Sequence, residues 1–304
     1  MFDFDAVVVG GGPAGMSAAL VLGRMRHRVL LVDEGRGRNL TPDGAQRALR
    51  ESAAKSLTEC DRVQVEGGVV DTVSGAGGSF QVTTSEGLDA AARLVVLATG
   101  VDDDPPALPG LARLWGRCVL HCVYCDGWEV RDQPLGVLVT KADDLYAASR
   151  LRHLSADLTV FAHGVELTGR HREQLDALGI AAADGPIEEL SPDGDGLVAR
   201  TADGARTALR ALFVQAGVRP ASGLAAQLGC RMSPSGLVLV DSFYRTSVPG
   251  IYAVGDMARP AQSRFKPMQV AVAAADGVTA GIAADQALAK GDLPFGYFAD
   301  AGEQ

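Results

Sequence analysis

The chain has 304 residues, which exceeds the usual size of one domain, so two domains are expected, each large enough to bury its own core. Its 37 glycines and 47% hydrophobic residues are typical of an α/β protein with many tight turns between strands and helices. A net charge of −9 argues against a nucleic acid or an anionic membrane as the binding partner.

The sequence also indicates a compartment. It contains no apolar run of membrane-spanning length, and Asp3 and Asp5 stand where a secretory signal peptide would carry bases. We therefore expect a cytoplasmic protein. Five cysteines in that compartment suggest catalysis rather than a disulfide framework.

A short strand, a glycine-rich turn and a helix open the chain. Residues 6–9 form an apolar run of mainly β-branched residues, Gly-Gly-Gly-Pro-Ala-Gly runs from Gly10 to Gly15, and a helical pattern covers residues 16–25. The first glycine permits the tight turn, Gly12 lets a pyrophosphate approach the backbone, and the last lets the helix pack against the sheet. The helix N-terminus then faces the phosphates.

A second strand, residues 28–32, ends in Asp33-Glu34, and an acid at this point accepts hydrogen bonds from a ribose. Because strand, turn, helix and acid occur together, the pattern predicts a dinucleotide site rather than a plain glycine-rich turn.

The next stretches build the rest of this domain. Residues 35–60 are polar and then mildly helical, and residues 62–88 read as an antiparallel excursion. Residues 94–100 return as a buried parallel strand that ends in Ala-Thr-Gly, a turn that lets the backbone approach a ligand closely. Residues 102–110 read as a crossover.

The redox chemistry is predicted at Cys122 and Cys125. Cysteines with two residues between them can close a small disulfide, and Asp126 directly after the second can move protons. The reactive species is the thiolate, which this spacing often stabilises. Half of a structural zinc site and inert core cysteines are the alternatives, but zinc needs a second pair or histidines at ligand spacing. The other cysteines are single and scattered: Cys60, Cys118 and Cys230.

Towards the C-terminus, a turn at Pro249-Gly250 leads into a strand that ends in Gly255-Asp256. Residues 268–284 then form a predicted helix rich in alanine and glycine, whose N-terminus is able to face a ligand closely.

These motifs together resemble the low-molecular-weight thioredoxin reductase family across nearly the whole chain. The shared order is Gly-Gly-Gly-Pro-Ala-Gly, Ala-Thr-Gly, Cys-x-x-Cys-Asp, Gly-x-x-Pro at Gly217–Pro220, and Gly-Asp before a small-residue helix. The resemblance implies an α/β fold with two Rossmann-like domains, each a three-layer ββα arrangement. It also implies a homodimer. Residues 1–113 and 246–304 are then an FAD domain, interrupted by a smaller NAD(P)H-type domain of residues 114–245 that carries the cysteines.

The same resemblance implies the site residues. Cys125 lies against the flavin, Cys122 exchanges with the substrate, and Asp126 is the general acid or base. His121 at the mouth is a second candidate for the protons, or a histidine hydrogen-bonded in the structure. No metal is expected. The predicted FAD-binding residues are Gly10, Gly12, Pro13, Ala14, Gly15, Asp33, Glu34, Asn39, Ala98, Thr99, Gly100, Gly255, Asp256, Gln269 and Val270.

An internal repeat shows where the second domain departs from the family pattern. Residues 7–9 align with residues 137–139, and residues 29–32 with residues 159–162. The ligand-binding positions differ: Gly10, Gly12 and Gly15 correspond to Thr140, Ala142 and Leu145, and Asp33-Glu34 to His163-Gly164. Each side chain that replaces such a glycine costs on the order of 1–3 kcal/mol in a dinucleotide site.

The charged residues of the second domain strengthen the interpretation that its nucleotide site is degraded. Asp143-Asp144 would repel phosphates, although helix capping also explains them. Family members hold the 2′-phosphate of NADPH with two arginines after the second strand, whereas Arg170 and Arg172 come later and are typical of a solvated helix face. The sequence therefore predicts a degraded NADPH site.

Without nicotinamide, electrons need another route. The segment around the cysteines, with its histidine, its aromatic residue and Gly-Trp-Glu, resembles flavin dithiol oxidases of the gliotoxin and holomycin type, whereas Asp126 is similar to the reductases. We therefore predict an FAD-dependent thiol-disulfide oxidoreductase that passes electrons from a dithiol through Cys122, Cys125 and FAD to O2. The dithiol is a small molecule or a thioredoxin-like protein. A disulfide reductase supplied by NADPH, ferredoxin or another donor is the alternative, and a non-enzymatic flavin-binding protein, which would not need the cysteines and Asp126, is a third.

Overall fold

In a computed structural model, the chain is described over residues 2–38, 45–183, 185–263 and 265–292, without the side chains of residues 45–50 and 292. The strands are β1 (Phe4–Val9), β2 (Val29–Asp33), β3 (Val63–Gly67), β4 (Val70–Ala76), β5 (Ser79–Thr84), β6 (Asp89–Leu97), β7 (Val101–Asp104), β8 (Val119–Leu120), β9 (Leu135–Val139), β10 (Leu158–Ala162), β11 (Ala181–Ala183), β12 (Ile187–Asp193), β13 (Gly196–Thr201), β14 (Arg206–Leu209), β15 (Ala211–Val214), β16 (Gly217–Pro220), β17 (Val238–Val240), β18 (Ile251–Ala253) and β19 (Ala258–Pro260). The helices are α1 (Pro13–Arg24), α2 (Ala45–Thr58), α3 (Leu111–Leu114), α4 (Val123–Asp126), α5 (Leu145–Leu151), α6 (Gly169–Ala177), α7 (Leu224–Gln227) and α8 (Val270–Asp292), with short 3-10 helices at Ala142–Asp144 and Gly255–Met257.

The chain folds into two compact units, residues 1–102 with 218–304 and residues 103–217. The first contains a sheet in the order β3-β2-β1-β6-β5-β4, with β18 also beside β6. Strand β6 is shared between two layers, since residues 89–92 pair antiparallel with β5 and residues 92–97 pair parallel with β1. Strand β18 runs parallel to the second half of β6, so the carboxyl ends of β1, β6 and β18 lie at one edge.

Both faces of this parallel sheet are buried, which explains why its strands are apolar throughout. Ala6 and Val8 face a helical layer made by α1 and α8, and Val7 and Val9 face the antiparallel strands β4 and β5. The two helices pack closely because small residues line their contact, and a Cβ on Gly277 would lie 2.0 Å from a backbone oxygen of α1. The result is three layers.

The second unit repeats this arrangement. Its parallel sheet has the order β11-β10-β9-β15-β8, and a separate antiparallel sheet has the order β12-β13-β14. Val137 and Val139 pack with α5 on one face, while Leu138 packs with Leu190 of the antiparallel sheet on the other. Two Rossmann-like units of three layers confirm the predicted fold class, with β1-α1-β2 corresponding to β9-α5-β10.

The limits of the units differ from the predicted domain boundaries at 113/114 and 245/246. Residues 103–113 belong to the second unit because Leu111 is part of its core, and residues 218–245 belong to the first because Leu224 and Val238 are buried there. The turn residues in the sequence do not indicate these boundaries. The boundaries depend on which hydrophobic core each apolar side chain joins in the folded chain.

Two elements also differ from the sequence prediction. Strand β3 pairs parallel with β2 instead of joining the antiparallel excursion, because helix α2 returns the chain in the same direction. Helix α8 continues to Asp292, beyond the predicted end at residue 284, and Leu288 is buried in its added turns. Among the helices that the structure describes, none combines the length and apolar character needed to cross a bilayer. The cytoplasmic location stays a prediction.

Candidate active site

The turn between β1 and α1 is shaped by its glycines. Gly10 has a φ of 107°, and a Cβ there would lie 2.4 Å from the carbonyl oxygen of Ala98. A Cβ on Gly15 would lie 1.9 Å from the oxygen of Gly10, whereas a Cβ on Gly12 would meet nothing within 4 Å. No described side chain caps α1, so the N–H groups of its first turn face the open space beside Gly12. A helix N-terminus of this kind is suited to bind an anion.

The end of β2 is tied to the same turn. The amide of Gly11 donates a hydrogen bond to Asp33 Oδ1 at 2.9 Å. Glu34, the next residue, is exposed and forms an ion pair with Arg36 at 3.0 Å. The Asp33 carboxylate therefore holds the turn, and Glu34 is the acid whose carboxylate is accessible at the end of the strand.

A second segment reaches the start of α1 from the end of β18. Gly255 has a φ of 74°, and a Cβ there would lie 3.0 Å from the Cβ of Ala14. Asp256 accepts a hydrogen bond from Arg38 Nη1 at 3.3 Å, and the same nitrogen donates to Met268 Sδ at 3.3 Å. Burial raises the pKa of the Asp256 carboxyl, and the Arg38 guanidinium opposes that rise.

A buried ion pair between Lys266 and Asp276 fixes the conformation of this segment. Lys266 Nζ donates to the carbonyl oxygens of Gly255 at 2.6 Å and Ala258 at 3.0 Å, and it also pairs with Asp276 on α8. Asp276 accepts from the Gly255 amide at 3.2 Å and from the Tyr244 hydroxyl. Burial, reinforced by the Asp276 carboxylate, raises the Tyr244 pKa. These contacts fix the Gly255 turn.

The first unit therefore fits FAD. It has a helix N-terminus beside open space for a pyrophosphate, an exposed acid for a ribose, and a second glycine-acid turn against the same helix. The predicted residues that the structure brings to the turns around α1 are Gly10, Gly12, Pro13, Ala14, Gly15, Asp33, Ala98, Gly255 and Asp256. Of the others, Thr99 donates to Met257 Sδ at 3.3 Å, and Gly100 follows it. Gln269 directly precedes α8, which begins at Val270, and Asn39 lies outside the described residues.

The equivalent turn of the second unit is closed by its own side chain. Asp144, only 3% exposed, accepts hydrogen bonds from the Thr140 amide at 2.9 Å, the Thr140 hydroxyl at 2.8 Å and the Lys141 amide at 3.1 Å. The capping role considered for this acid is thus present, with the carboxylate reaching back to the start of the 3-10 helix. The corresponding amides of the first unit also have acceptors, since the Gly10 amide donates to the Val32 carbonyl oxygen and the Gly11 amide donates to Asp33. The second unit differs because the buried carboxylate at its turn comes from the start of its own helical segment.

Other positions of the second unit agree with this difference. Leu145, the first residue of α5, packs against the core of the second unit. His163 directly follows β10, whereas the corresponding Asp33 is the last residue of β2. Arg170 and Arg172 are exposed on α6, as expected for a solvated helix face.

Cys122 and Cys125 of the second unit form a disulfide. Cys122 is the N-cap of the short helix α4, and the Cys125 amide donates a hydrogen bond to the Cys122 sulfur at 3.1 Å. Between them Val123 packs against the core of the second unit, which orients the helix. An amide that points at a sulfur stabilises the thiolate, so this contact favours negative charge on Cys122 after reduction.

Asp126 follows directly in the same helix. Burial raises its carboxyl pKa to about 6, and the charge of Glu129 adds to the rise. A carboxyl with this pKa exchanges protons close to neutral pH, which general acid-base catalysis requires. The role of Asp126 as the general acid or base stays a prediction.

Aromatic side chains lie near the disulfide in the sequence, and two of them are exposed. His121 is stacked on Trp115 with ring centroids 5.9 Å apart, and it is half-buried. Tyr124 and Trp128 are exposed, and the Arg131 guanidinium lies 3.9 Å from the Trp128 ring centroid. The stacking gives His121 a packing role in addition to the one predicted at the mouth.

Sequence reasoning missed four residues that build the Gly255 turn. Arg38 lies in a polar loop, and Tyr244 and Lys266 are far from any motif. Asp276 did leave a signal, because a single acid among the alanines and glycines of a buried helix face indicates an ionic partner.

A two-unit Rossmann fold with a flavin-type dinucleotide site and a Cys-x-x-Cys disulfide defines a flavin-dependent disulfide oxidoreductase. The chain belongs to the pyridine nucleotide-disulphide oxidoreductase family, whose profile matches residues 4–277. It is thus an enzyme of the thioredoxin reductase-like group, with FAD as its cofactor.

Individual relatives support this assignment. The chain is 35% identical over 281 residues to thioredoxin reductase tcpT of Claviceps purpurea, covering 83% of this chain and 86% of the relative. It is 32% identical over 305 residues to thioredoxin reductase sirT of Leptosphaeria maculans, covering 90% and 93%. The crystal structure of HlmI superposes with a TM-score of 0.84 at 36% identity, covering 95% of this chain and 93% of that one.

Proposed function

We propose that this flavoenzyme is a dithiol oxidase, which passes electrons from a small-molecule dithiol through Cys122 and Cys125 and FAD to O2. The observation that carries the proposal is the buried Asp144 carboxylate, which occupies the phosphate-binding turn of the second unit. Without a nicotinamide site, the reducing equivalents come from a thiol substrate.

The comparison between the two turns supports this step. A dinucleotide phosphate binds through unsatisfied N–H groups at a helix N-terminus, as the first unit presents them beside Gly12. In the second unit the Asp144 carboxylate already accepts from the Thr140 and Lys141 amides. The corresponding Gly10 and Gly11 amides of the first unit also have acceptors, so the difference lies in the charge at the helix start. A phosphate at the second turn would meet the buried Asp144 carboxylate and be repelled by it.

The thiol chemistry follows from the disulfide. A substrate thiolate attacks the Cys122 sulfur, the bond to Cys125 breaks, and Cys125 leaves as a thiolate. The second substrate thiol, once deprotonated, attacks the substrate sulfur of the mixed disulfide and releases Cys122 as a thiolate. The substrate leaves as a disulfide, having lost two electrons and two protons. The hydrogen bond from the Cys125 amide stabilises the Cys122 thiolate in this second step.

Asp126 transfers the protons of the thiol exchange. With a pKa of about 6 it is mostly ionised at neutral pH and accepts a proton from an incoming thiol. The chemistry that FAD supplies when bound is two-electron transfer from a dithiol to O2. Overall, one dithiol and one O2 give one disulfide and one hydrogen peroxide.

The test is an anaerobic titration of the purified yellow holoenzyme, followed by flavin absorbance at about 450 nm. NADPH, NADH and dithiothreitol are added separately, and air is then admitted. We expect no bleaching by either nucleotide, bleaching by dithiothreitol, and fast reoxidation with peroxide release. Cys122→Ser should abolish bleaching by the dithiol, whereas Cys230→Ser, which changes a buried cysteine of the first unit, should not.

Each other result rejects the proposal and identifies the alternative. Prompt bleaching by NADPH would show that the second unit binds nicotinamide and would return the enzyme to the ordinary reductases. Bleaching by dithiol with slow reoxidation in air would instead indicate a disulfide reductase supplied by ferredoxin or another protein donor.

We also propose that the enzyme is a homodimer, as the resemblance to thioredoxin reductases implies. Light scattering should then give twice the chain mass of 31.5 kDa over a range of concentrations. A mass equal to one chain would contradict this.

A further inference from the structure

We propose that Arg38 is an additional FAD-binding residue, which makes the site suitable for a pyrophosphate by compensating the charge of Asp256. This inference goes beyond the proposed function, because it concerns the affinity for FAD and does not depend on the electron acceptor.

The placement of Arg38 is unusual for a residue in a polar loop. Its side chain is only 13% exposed, and the Asp256 side chain that it contacts is 15% exposed. Arg38 Nη1 lies 3.3 Å from Asp256 Oδ2 and 3.3 Å from Met268 Sδ, so the guanidinium is held between the Gly255 turn and the segment before α8. A buried arginine needs acceptors, and Asp256 supplies one.

The position of this pair relative to α1 connects it to the cofactor. Asp256 follows Gly255, whose Cα faces Ala14 in the first turn of α1. That turn is where the open space beside Gly12 and the N–H groups indicate a pyrophosphate. Asp256 therefore introduces a negative charge next to a site for a doubly charged anion.

Among the described residues, two cations act on Asp256, and they differ in how they reach it. Lys266 donates to Gly255, Ala258 and Asp276 and acts on Asp256 only through its charge. Arg38 is the cation in direct contact with Asp256. Because like charges repel strongly where water is excluded, removal of Arg38 should leave Asp256 opposed to the FAD phosphates.

The experiment measures FAD affinity directly. Apoprotein is titrated with FAD, and the quenching of flavin fluorescence gives Kd for the wild type, Arg38→Met, Arg38→Lys, Asp256→Asn and the double variant Arg38→Met/Asp256→Asn. The matched control is Arg26→Met, which removes an arginine from an exposed pair with Asp61 in the same unit. Circular dichroism and thermal unfolding of each apoprotein report folding.

We expect Arg38→Met to raise Kd by roughly 10- to 100-fold, the value of a hydrogen bond to a charged group. Arg38→Lys keeps the charge and should stay within about 5-fold of the wild type. In the double variant the repelling carboxylate is gone, so Kd should be at least about 5-fold lower than in Arg38→Met alone. Arg26→Met should not change Kd.

Three results would overturn the inference. They are an unchanged Kd in Arg38→Met, an Arg38→Lys variant that folds but binds FAD as weakly as Arg38→Met, and a double variant with no recovery. The double variant also decides the case in which Arg38→Met alone does not fold. If the double variant folds and binds FAD with near wild-type affinity, the proposed charge compensation is supported. If it folds but does not bind FAD, the proposal is rejected.

Discussion

At the scale of single residues, the two sulfurs of the active disulfide differ in their surroundings. The amide of Cys125 donates to the Cys122 sulfur, which favours a thiolate there, and Asp126 follows on the same short helix with a raised pKa. These surroundings support the proposal that Cys122 exchanges with the substrate and that Asp126 transfers protons.

The first prediction separates the roles of the sulfurs. In Cys125→Ser, Cys122 remains as a free thiol, and we expect it to form a stable mixed disulfide with an added disulfide of a monothiol, because neither Cys125 nor a second substrate thiol is present to resolve it. In Cys122→Ser, the remaining Cys125 should react at least about 10-fold more slowly, since it lacks the stabilising amide. Intact-mass spectrometry of both variants measures this. Equal trapping would contradict the assignment.

The second prediction concerns the pH dependence. The Asp126 carboxyl is a base only above its pKa of about 6, so the rate of flavin reduction by a dithiol should fall below that pH and level off above it. Asp126→Asn should be slower by about 100-fold at neutral pH, and its rate should follow the thiolate fraction of the substrate without a break. Stopped-flow absorbance from pH 5 to about 9 provides the measurement.

Glu129→Gln is the matched control for the same profile. The Glu129 charge adds to the rise in the Asp126 pKa, so its removal should move the break to lower pH while the plateau rate is retained. A break near pH 6 that persists in Asp126→Asn would assign it to another group.

At the scale of elements, one β-α-β unit occurs twice with opposite consequences. After β1 the turn is made of glycines and faces open space, whereas after β9 the turn is closed by Asp144. Both backbones follow the same course, since β1-α1-β2 and β9-α5-β10 pair in the same parallel order. The two units therefore share one backbone plan and differ in the side chains at this turn.

The third prediction uses two glycines of the first turn. Gly12→Ala adds a methyl group where nothing lies within 4 Å, so the apoprotein should keep its thermal midpoint while FAD affinity falls by about 10-fold or more. Gly15→Ala places a methyl group 1.9 Å from the Gly10 oxygen and should destabilise the apoprotein by roughly 1–3 kcal/mol. Thermal unfolding and FAD titration separate the two effects. Normal FAD affinity in Gly12→Ala would show that the pyrophosphate binds elsewhere.

At the scale of the whole molecule, the reaction divides between the two units. The first unit contains the turns that fit FAD, and the second contains the disulfide and Asp126. The fold thus keeps the two-unit plan of the family, with a buried carboxylate at the turn of the second unit. This combination supports the proposed dithiol oxidase.

The fourth prediction follows from the balance of electrons. Each dithiol oxidised should consume one O2 and release one hydrogen peroxide, which an oxygen electrode and a peroxidase assay measure in the same vessel. Catalase should halve the net oxygen consumption, because it returns half of the oxygen from peroxide. Disulfide formation without oxygen uptake would exclude the oxidase.

The sequence by itself determined the local chemistry of this protein. Spacing identified the Gly-x-Gly-x-x-Gly turn, the Cys-x-x-Cys pair with Asp126, and the replacement of Gly10, Gly12 and Gly15 by Thr140, Ala142 and Leu145 in the repeat. These features are readable because each depends on residues close together in the chain, where backbone geometry follows directly from residue type.

Only the tertiary structure decided what depends on distant residues. It showed that Asp144 turns back onto its own phosphate turn, and that Arg38 contacts Asp256 across more than two hundred residues of chain. It also moved residues 218–245 into the first unit. The physical reason is that partners of buried charges and apolar side chains are chosen by packing, and the order of residues along the chain does not specify which distant groups share one desolvated space.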